Sequence, residues 1–270
     1  MRIAVASGKG GTGKTTIAVN LAYFNSLPLF DLDVEEPNDH IFIAGDVKKE
    51  EPVYRPVPVV DSAKCTLCGK CREVCQYNAI VVLKDSVVIF PEICHSCGAC
   101  SYFCPEEAIS ENGRQVGKIV EVEGDIKLVY GELAIGEASP VPLIREVKKK
   151  VAEKAILDCP PGVSCPMVES IRDADFVVLV AEPSPLSMHD LKLAVEVVRS
   201  FNRPFGVVIN KHGLPFDIES YCTNEGMPIL GRIPFSPEIA KAYSRGKLLF
   251  EYKQVFKDIY RTIRDTTEVD

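Results

Sequence analysis

The stretch Arg2-Ile3-Ala4-Val5-Ala6-Ser7-Gly8-Lys9-Gly10-Gly11-Thr12-Gly13-Lys14-Thr15-Thr16 decides the fold. Ile3 to Ala6 is a short β-rich run, and a glycine loop follows it. From Thr15 to Phe24, Ile17, Ala18, Leu21 and Ala22 recur at helical spacing. Strand, loop and helix in that order aim backbone N–H groups and a helix N-terminus at one point, which suits phosphate. The spacing Gly8-x-x-x-x-Gly13-Lys14-Thr15 meets the phosphate-loop pattern in full. Gly8, Gly10, Gly11, Thr12, Gly13 and Thr16 would surround the phosphates of ATP. Lys14 would neutralise the β and γ oxygens, and the Thr15 hydroxyl would reach Mg2+. Lys9 is one lysine more than the loop needs, and on its residues alone it reads as a solvated surface charge.

Working outward, Leu27 to Phe30 is a second strand, and it delivers Asp31-Leu32-Asp33 at the carboxyl end, where an α/β sheet presents its ligand groups. After Asn38 the texture changes. Glu50 to Pro58 alternates Val and Pro, as an extended linker would, and a separate module follows it. Val116 to Glu123 and Ile126 to Tyr130 read as paired strands around Gly124-Asp125. Then the strand and helix alternation resumes, with strands at Ala155 to Leu157, Phe176 to Ala181, Phe205 to Ile209 and Ile229 to Ile233. Helices are predicted over Val141 to Val151, Ser187 to Phe201, Pro237 to Ala242 and within Leu248 to Ile263. The fold class is α/β, a mostly parallel phosphate-loop NTPase sheet flanked by helices with a small α+β insert. The divisions fall at 1–58 and 113–270 for the nucleotide domain and 59–112 for the insert.

The insert holds eight of the eleven cysteines, as Cys65-x-x-Cys68-x-x-Cys71-x-x-x-Cys75 and Cys94-x-x-Cys97-x-x-Cys100-x-x-x-Cys104-Pro105. Each run has the bacterial ferredoxin spacing, in which three close thiolates hold one cluster and the fourth reaches the other. The pattern predicts two [4Fe-4S] clusters. Cys65, Cys68, Cys71 and Cys104 would hold one, and Cys94, Cys97, Cys100 and Cys75 the other. A pair of zinc sites is the alternative, although zinc uses four ligands in pairs and leaves the third and fourth cysteines of each run unexplained. Gln76 follows Cys75 where the pattern has proline. Ala79-Ile80 and Ala108-Ile109 repeat at equivalent offsets, as small and apolar residues packed on clusters would. Over its whole length, the segment 61–110 resembles a two-cluster ferredoxin.

Lys9-Gly10-Gly11-Thr12-Gly13-Lys14-Thr15 resembles the deviant Walker A motif of the MinD/ParA family, which includes the Mrp-type carriers and the nitrogenase iron protein. Phe30-Asp31-Leu32-Asp33 looks like that family's second acidic motif, and Asp158-Cys159-Pro160-Pro161-Gly162 like its Walker B and switch region. The resemblance implies an ATPase that dimerises with nucleotide at the interface, where Lys9 reaches the partner's nucleotide. It implies that Asp33 orients or activates the attacking water, with Asp31 in support. Asp158 would hold Mg2+ through its water shell, and Asn210 would read the adenine edge, with Pro234 and Phe235 beside the base. Of the three scattered cysteines, Cys159 and Cys222 read as small buried hydrophobes. Cys165, near the switch, is the one placed to help hold a bridging cluster across the dimer axis.

With 31 basic and 38 acidic residues and a net charge of −7, the composition disfavours a broad nucleic-acid-binding surface. No apolar run reaches the length of a membrane span, and nothing at Met1-Arg2 reads as a targeting signal, so a cytoplasmic protein is expected. Phe250, Phe256, Ile259 and Ile263 are expected to pack on the domain, and the acidic end Thr267-Glu268-Val269-Asp270 disfavours a membrane anchor. The leading function is coupling of ATP-driven dimer rearrangement to electron transfer or to iron–sulfur and metal-cofactor assembly, with a redox or metallocofactor client. The alternatives are a MinD/ParA-like positioning ATPase with a redox-sensing module, and an electron carrier on a phosphate-loop scaffold.

Overall fold

A computed structural model describes residues 1–267. The chain opens with β1 (Arg2–Ala6), α1 (Lys14–Phe24), β2 (Leu29–Asp31) and β3 (Gly45–Val60). The cysteine-rich region contributes α2 (Lys70–Val74), β4 (Ile80–Val82), β5 (Val87–Ile89) and α3 (Ala99–Tyr102), and ends in β6 (Ile109–Gly124). Next come β7 (Lys127–Leu133), α4 (Val141–Lys148), β8 (Ala155–Asp158), α5 (Cys165–Ile171), β9 (Phe176–Ala181) and α6 (Pro185–Ser200). The last elements are β10 (Phe205–His212), α7 (Glu219–Asn224), β11 (Ile229–Pro234), α8 (Pro237–Tyr243) and α9 (Lys253–Thr267). The strands of the large sheet run in the order β11-β10-β9-β1-β8-β2-β7-β6-β3.

Two compact units share the chain. One comprises Met1–Glu50, Ile119–Glu132 and Ile144–Asp270, and the other Glu51–Lys118 and Leu133–Leu143. In the first unit, β1 pairs in parallel with β8 and β9, β2 with β7 and β8, and β10 with β9 and β11. Parallel strands covered on both faces must be apolar throughout, and all six residues of β9 are buried. The register sets Asp158 opposite both Val5 and Asp31, so the two acids arrive together at the carboxyl ends of the central strands. Ile17, Leu21 and Phe24 of α1 are buried in the same core as Phe256, Ile259 and Ile263 of α9. Each side chain of that size contributes roughly 1.5–3 kcal/mol when fully buried. Phe250 is mostly exposed, though its ring meets Phe24 edge-on at 5.3 Å. Among the described residues no helix is long and apolar enough to cross a membrane. The acidic end Glu268-Val269-Asp270 lies outside them.

The second unit holds both cysteine runs and a two-stranded antiparallel sheet of β4 and β5. The linker expected over Glu50 to Pro58 is instead part of the sixteen-residue strand β3. Proline alternation fits an edge, since proline cannot donate to a ladder, and β3 is the last strand of its sheet. The helices around Cys71, Cys100, Cys165 and Cys222 are only four to seven residues long, too short for periodicity to reveal.

Candidate functional site

The phosphate loop belongs to the first unit. Gly13 caps α1 with φ 94°, a left-handed conformation that favours glycine, and Gly11 has φ 79°. A Cβ on Gly13 would stand 2.1 Å from Asn210 Nδ2, and one on Gly8 2.1 Å from the Asp190 carbonyl oxygen, so both glycines are also fixed by space. Asn210 is buried at the end of β10, and its Nδ2 donates to the Thr12 carbonyl at 2.7 Å. That bond braces the loop. Phe235, just past β11, is exposed.

Lys14, Thr15, Asp33 and Asp158 come together at the start of α1. The Thr15 hydroxyl donates to Asp158 Oδ2 at 2.8 Å, while Asp158 Oδ1 is buried without a hydrogen-bond partner. Burial raises Asp158 to about 6, against the opposing pull of the Lys14 ammonium. Asp33 is raised to about 7, again by burial and against Lys14, with Asp158 adding to the rise. Asp31 sits deeper. Its Oδ1 accepts from the Asp33 N–H at 2.9 Å and its Oδ2 from the N–H groups of Asn38 at 2.9 Å and Asp39 at 3.2 Å, so it organises the acidic loop.

Two parts of this site escape the sequence reading. Asp39 is fully buried close to Asp158, and neither of its carboxyl oxygens has a hydrogen-bond partner among the described residues. Burial and then the Asp31 charge hold Asp39 well above the usual carboxylate range. Glu182, just past β9, accepts from Lys9 Nζ at 2.7 Å and from Lys211 Nζ at 2.6 Å, and Lys211 also donates to the Gly11 carbonyl at 3.1 Å. Within this chain, therefore, Lys9 is neither loose nor free. Its carboxylate partner follows an apolar strand in the same way as Asp31-Leu32-Asp33, and that pattern could have disclosed it.

In the second unit, Cys65, Cys68, Cys71 and Cys104 line one cavity with about 350 Å³ of empty space. Cys75, Cys94, Cys97 and Cys100 line another with about 400 Å³. The two runs are built alike. Leu67 and Ser96 have φ 56° and 54°, Gly69 and Gly98 81° and 72°, and Asn78 and Glu107 55° and 47°. After the fourth cysteine of each run, the Ala79 N–H donates to Cys75 Sγ and the Ala108 N–H to Cys104 Sγ, both at 3.3 Å. Burial pushes the Cys100 thiol up to about 11 and the Cys71 thiol also upward, so ionising them calls for a compensating cation. Among the described residues no three His, Cys, Asp or Glu side chains gather as around one metal ion. Elsewhere, Cys159 and Cys222 are buried and Cys165, the first residue of α5, is exposed.

Comparison with known proteins adds three findings. The family model of the CobQ/CobB/MinD/ParA nucleotide-binding domain matches residues 3–250. An uncharacterized protein of Methanocaldococcus jannaschii is 34% identical over 98% of this chain and 97% of its own length, and an iron–sulfur cluster carrier protein of the same organism is 23% identical over 99% and 86%. The septum site-determining protein MinD of Pyrococcus horikoshii, complexed with Mg-ADP, superposes with a TM-score of 0.60 at 17% identity over 97% of this chain and 95% of that one, a likeness of fold.

Proposed function

The chain belongs to the CobQ/CobB/MinD/ParA nucleotide-binding family, and from that premise we propose that it is a Mg2+-dependent ATPase whose nucleotide cycle governs a ferredoxin-like module carrying two [4Fe-4S] clusters. The observation that carries the reading is the crossed lining of the two cavities, three cysteines from one run and the fourth from the other at each. Crossing is what two clusters require and what two independent loops would not produce. Four thiols per cavity and N–H groups on the sulfurs make a donor set suited to iron–sulfur. Bound there, the clusters would supply one-electron storage.

In the first unit, the unpartnered Asp158 oxygen and the Thr15 hydroxyl suit a hydrated Mg2+. Lys14 would meet the phosphates as a point charge, and the buried Thr12 hydroxyl has no partner among the described residues. Asp33 is the carboxylate placed to hold the attacking water, and it titrates close to neutrality. Phosphoryl transfer asks mainly for position and charge compensation, and these groups supply both. The pairing of Lys9 with Glu182 is the arrangement of a single subunit. In the nucleotide-sandwich dimer, Lys9 would give up that carboxylate for the phosphates bound by the partner subunit.

The purpose of the cycle is delivery, either of electrons or of an iron–sulfur or related metal cofactor, to a client protein; the relatives named as iron–sulfur cluster carriers favour this reading over a positioning role. The test is anaerobic purification with iron and sulfide quantitation, then reduction and cluster-transfer assays with ATP, with ADP and without nucleotide. About eight irons per chain and delivery that depends on ATP turnover support the proposal. Delivery unaffected by Lys14→Ala would reduce the nucleotide domain to a scaffold.

A further inference from the structure

The two cysteine sites repeat one another in backbone but not in charge: Lys70 and Glu106 line the first cavity, whereas Glu111 lines the second, which also has an arginine bonded to its wall. Arg55 of β3 and Glu137 both lie outside the 59–112 segment, yet they meet inside the second unit as an ion pair of 2.8 Å with side chains only 6% and 2% exposed. The guanidinium also donates to Ser96 Oγ at 3.2 Å and to the Pro91 carbonyl at 2.6 Å, both next to the second cysteine run. Ser96 lines the second cavity, and its N–H donates to Cys94 Sγ at 3.4 Å. The other Glu137 oxygen takes Arg114 at 2.6 Å, and Arg114 continues to Glu92 at 3.0 Å. At the equivalent place in the first run stands Leu67, which has no hydroxyl to receive an arginine.

Burying an ion pair seldom adds stability, because desolvation offsets the attraction. A charge held one residue from a cluster wall has another use. Cluster potentials depend on nearby charge and on hydrogen bonds to sulfur, and both favour the reduced, more negative form. Among the described residues the second site has two N–H to sulfur bonds, at Cys75 and Cys94, where the first has one, at Cys104. Only the second has a guanidinium bonded to its wall.

We propose that Arg55 is a positioning and tuning residue that makes the site of Cys94, Cys97, Cys100 and Cys75 the more oxidising of the two, so that a single electron entering the module settles there. This rests on the two-cluster reading above. Each site takes up one electron from a reductant with no bond made or broken at the protein. Arg55 stabilises the added negative charge, Glu137 keeps the guanidinium aimed and moderates its field, and Ser96 couples its position to the Cys94 loop.

The experiment is a potentiometric titration of the anaerobically purified full chain with dithionite or titanium(III), followed by electron paramagnetic resonance. Two resolved one-electron waves are expected. Arg55→Met should move the more positive wave to lower potential and leave the other in place, Arg55→Lys should largely preserve it, and Glu137→Gln should move the same wave the opposite way. Opposite signs at Arg55 and Glu137 separate charge tuning from general damage, and either the lysine or the glutamine variant suffices if Arg55→Met does not fold. Coincident waves in the native chain, or both waves moving together in the variants, would overturn the proposal while leaving two clusters in place. Iron far below eight per native chain would overturn the two-cluster reading, and this proposal with it.

Discussion

Replacing Asp158 with asparagine removes a buried charge that the fold tolerates poorly. The carboxyl is raised from 3.8 to about 6, chiefly by burial, and each unit corresponds to 1.36 kcal/mol, so the ionised form costs the nucleotide-free fold about 3 kcal/mol. The sign follows from linkage. The folded state holds this proton more tightly than the unfolded chain, so the native protein is favoured at low pH and loses stability as pH rises from about 4 to about 6. Asparagine does not ionise, and its side-chain oxygen can still accept the Thr15 hydroxyl. Asp158→Asn should therefore be more stable than the native chain by about 3 kcal/mol above pH 6, by about half that at pH 5, and by nothing near pH 4. Urea unfolding of both proteins without nucleotide at those pH values measures the difference, and the variant should hydrolyse no ATP. A gain that ignores pH, or no gain at pH 7.5, would refute the argument that burial is the source of the shift.

Lys9→Ala should abolish ATP-dependent dimerisation and hydrolysis while leaving ATP affinity within a few-fold, read by analytical ultracentrifugation and calorimetry; loss of ATP binding itself would place Lys9 in its own subunit's site. Gly13→Ala combines a left-handed φ of 94° with a Cβ 2.1 Å from Asn210 Nδ2, so it should distort the loop and weaken nucleotide binding by at least about tenfold, a loss of about 1.4 kcal/mol on titration. The crossed ligand sets make Cys75→Ala and Cys104→Ala complementary. Each should cost the signal of the cluster held by the other run's first three cysteines, and signal loss within the same run would disprove the crossing.

Much of this architecture is readable because its signals are local. The strand, loop and helix at Ile3 to Phe24 and the apolar run Phe176 to Ala181 announce themselves by pattern, and β9 coincides with the latter. The cysteine crossing is also legible, since the spacing encodes it. Two kinds of feature stay hidden. The first are short elements, such as α5 and β4, which have too few residues for a period to show. The second are side chains whose roles are set by distant partners. Asp39 looks like one more acid in Asn38-Asp39-His40, and only folding turns it toward Asp158 and away from water.

Lys9 belongs to the second kind. By composition it is a solvated charge, and by resemblance it is a residue that acts in trans. In the single chain Glu182 holds it at 2.7 Å, and Lys211 shares the same carboxylate at 2.6 Å. In the dimer proposed above, Lys9 would have to be held somewhere before the partner arrives, and a carboxylate shared by two ammonium groups can release one and keep its charge paired. Glu182 is about one-eighth exposed, so complete loss of both partners would leave a poorly hydrated charge. Lys211, which also bonds the Gly11 carbonyl at 3.1 Å, would prevent that outcome and keep the loop braced if Lys9 left. The same argument gives Glu182→Gln a distinct signature. With Lys9 released and Lys211 unpaired, ATP-dependent dimers should form at lower protein concentration while the loop holds nucleotide less tightly, and a variant that dimerises more weakly at unchanged ATP affinity would show that Glu182 does not retain Lys9 at all.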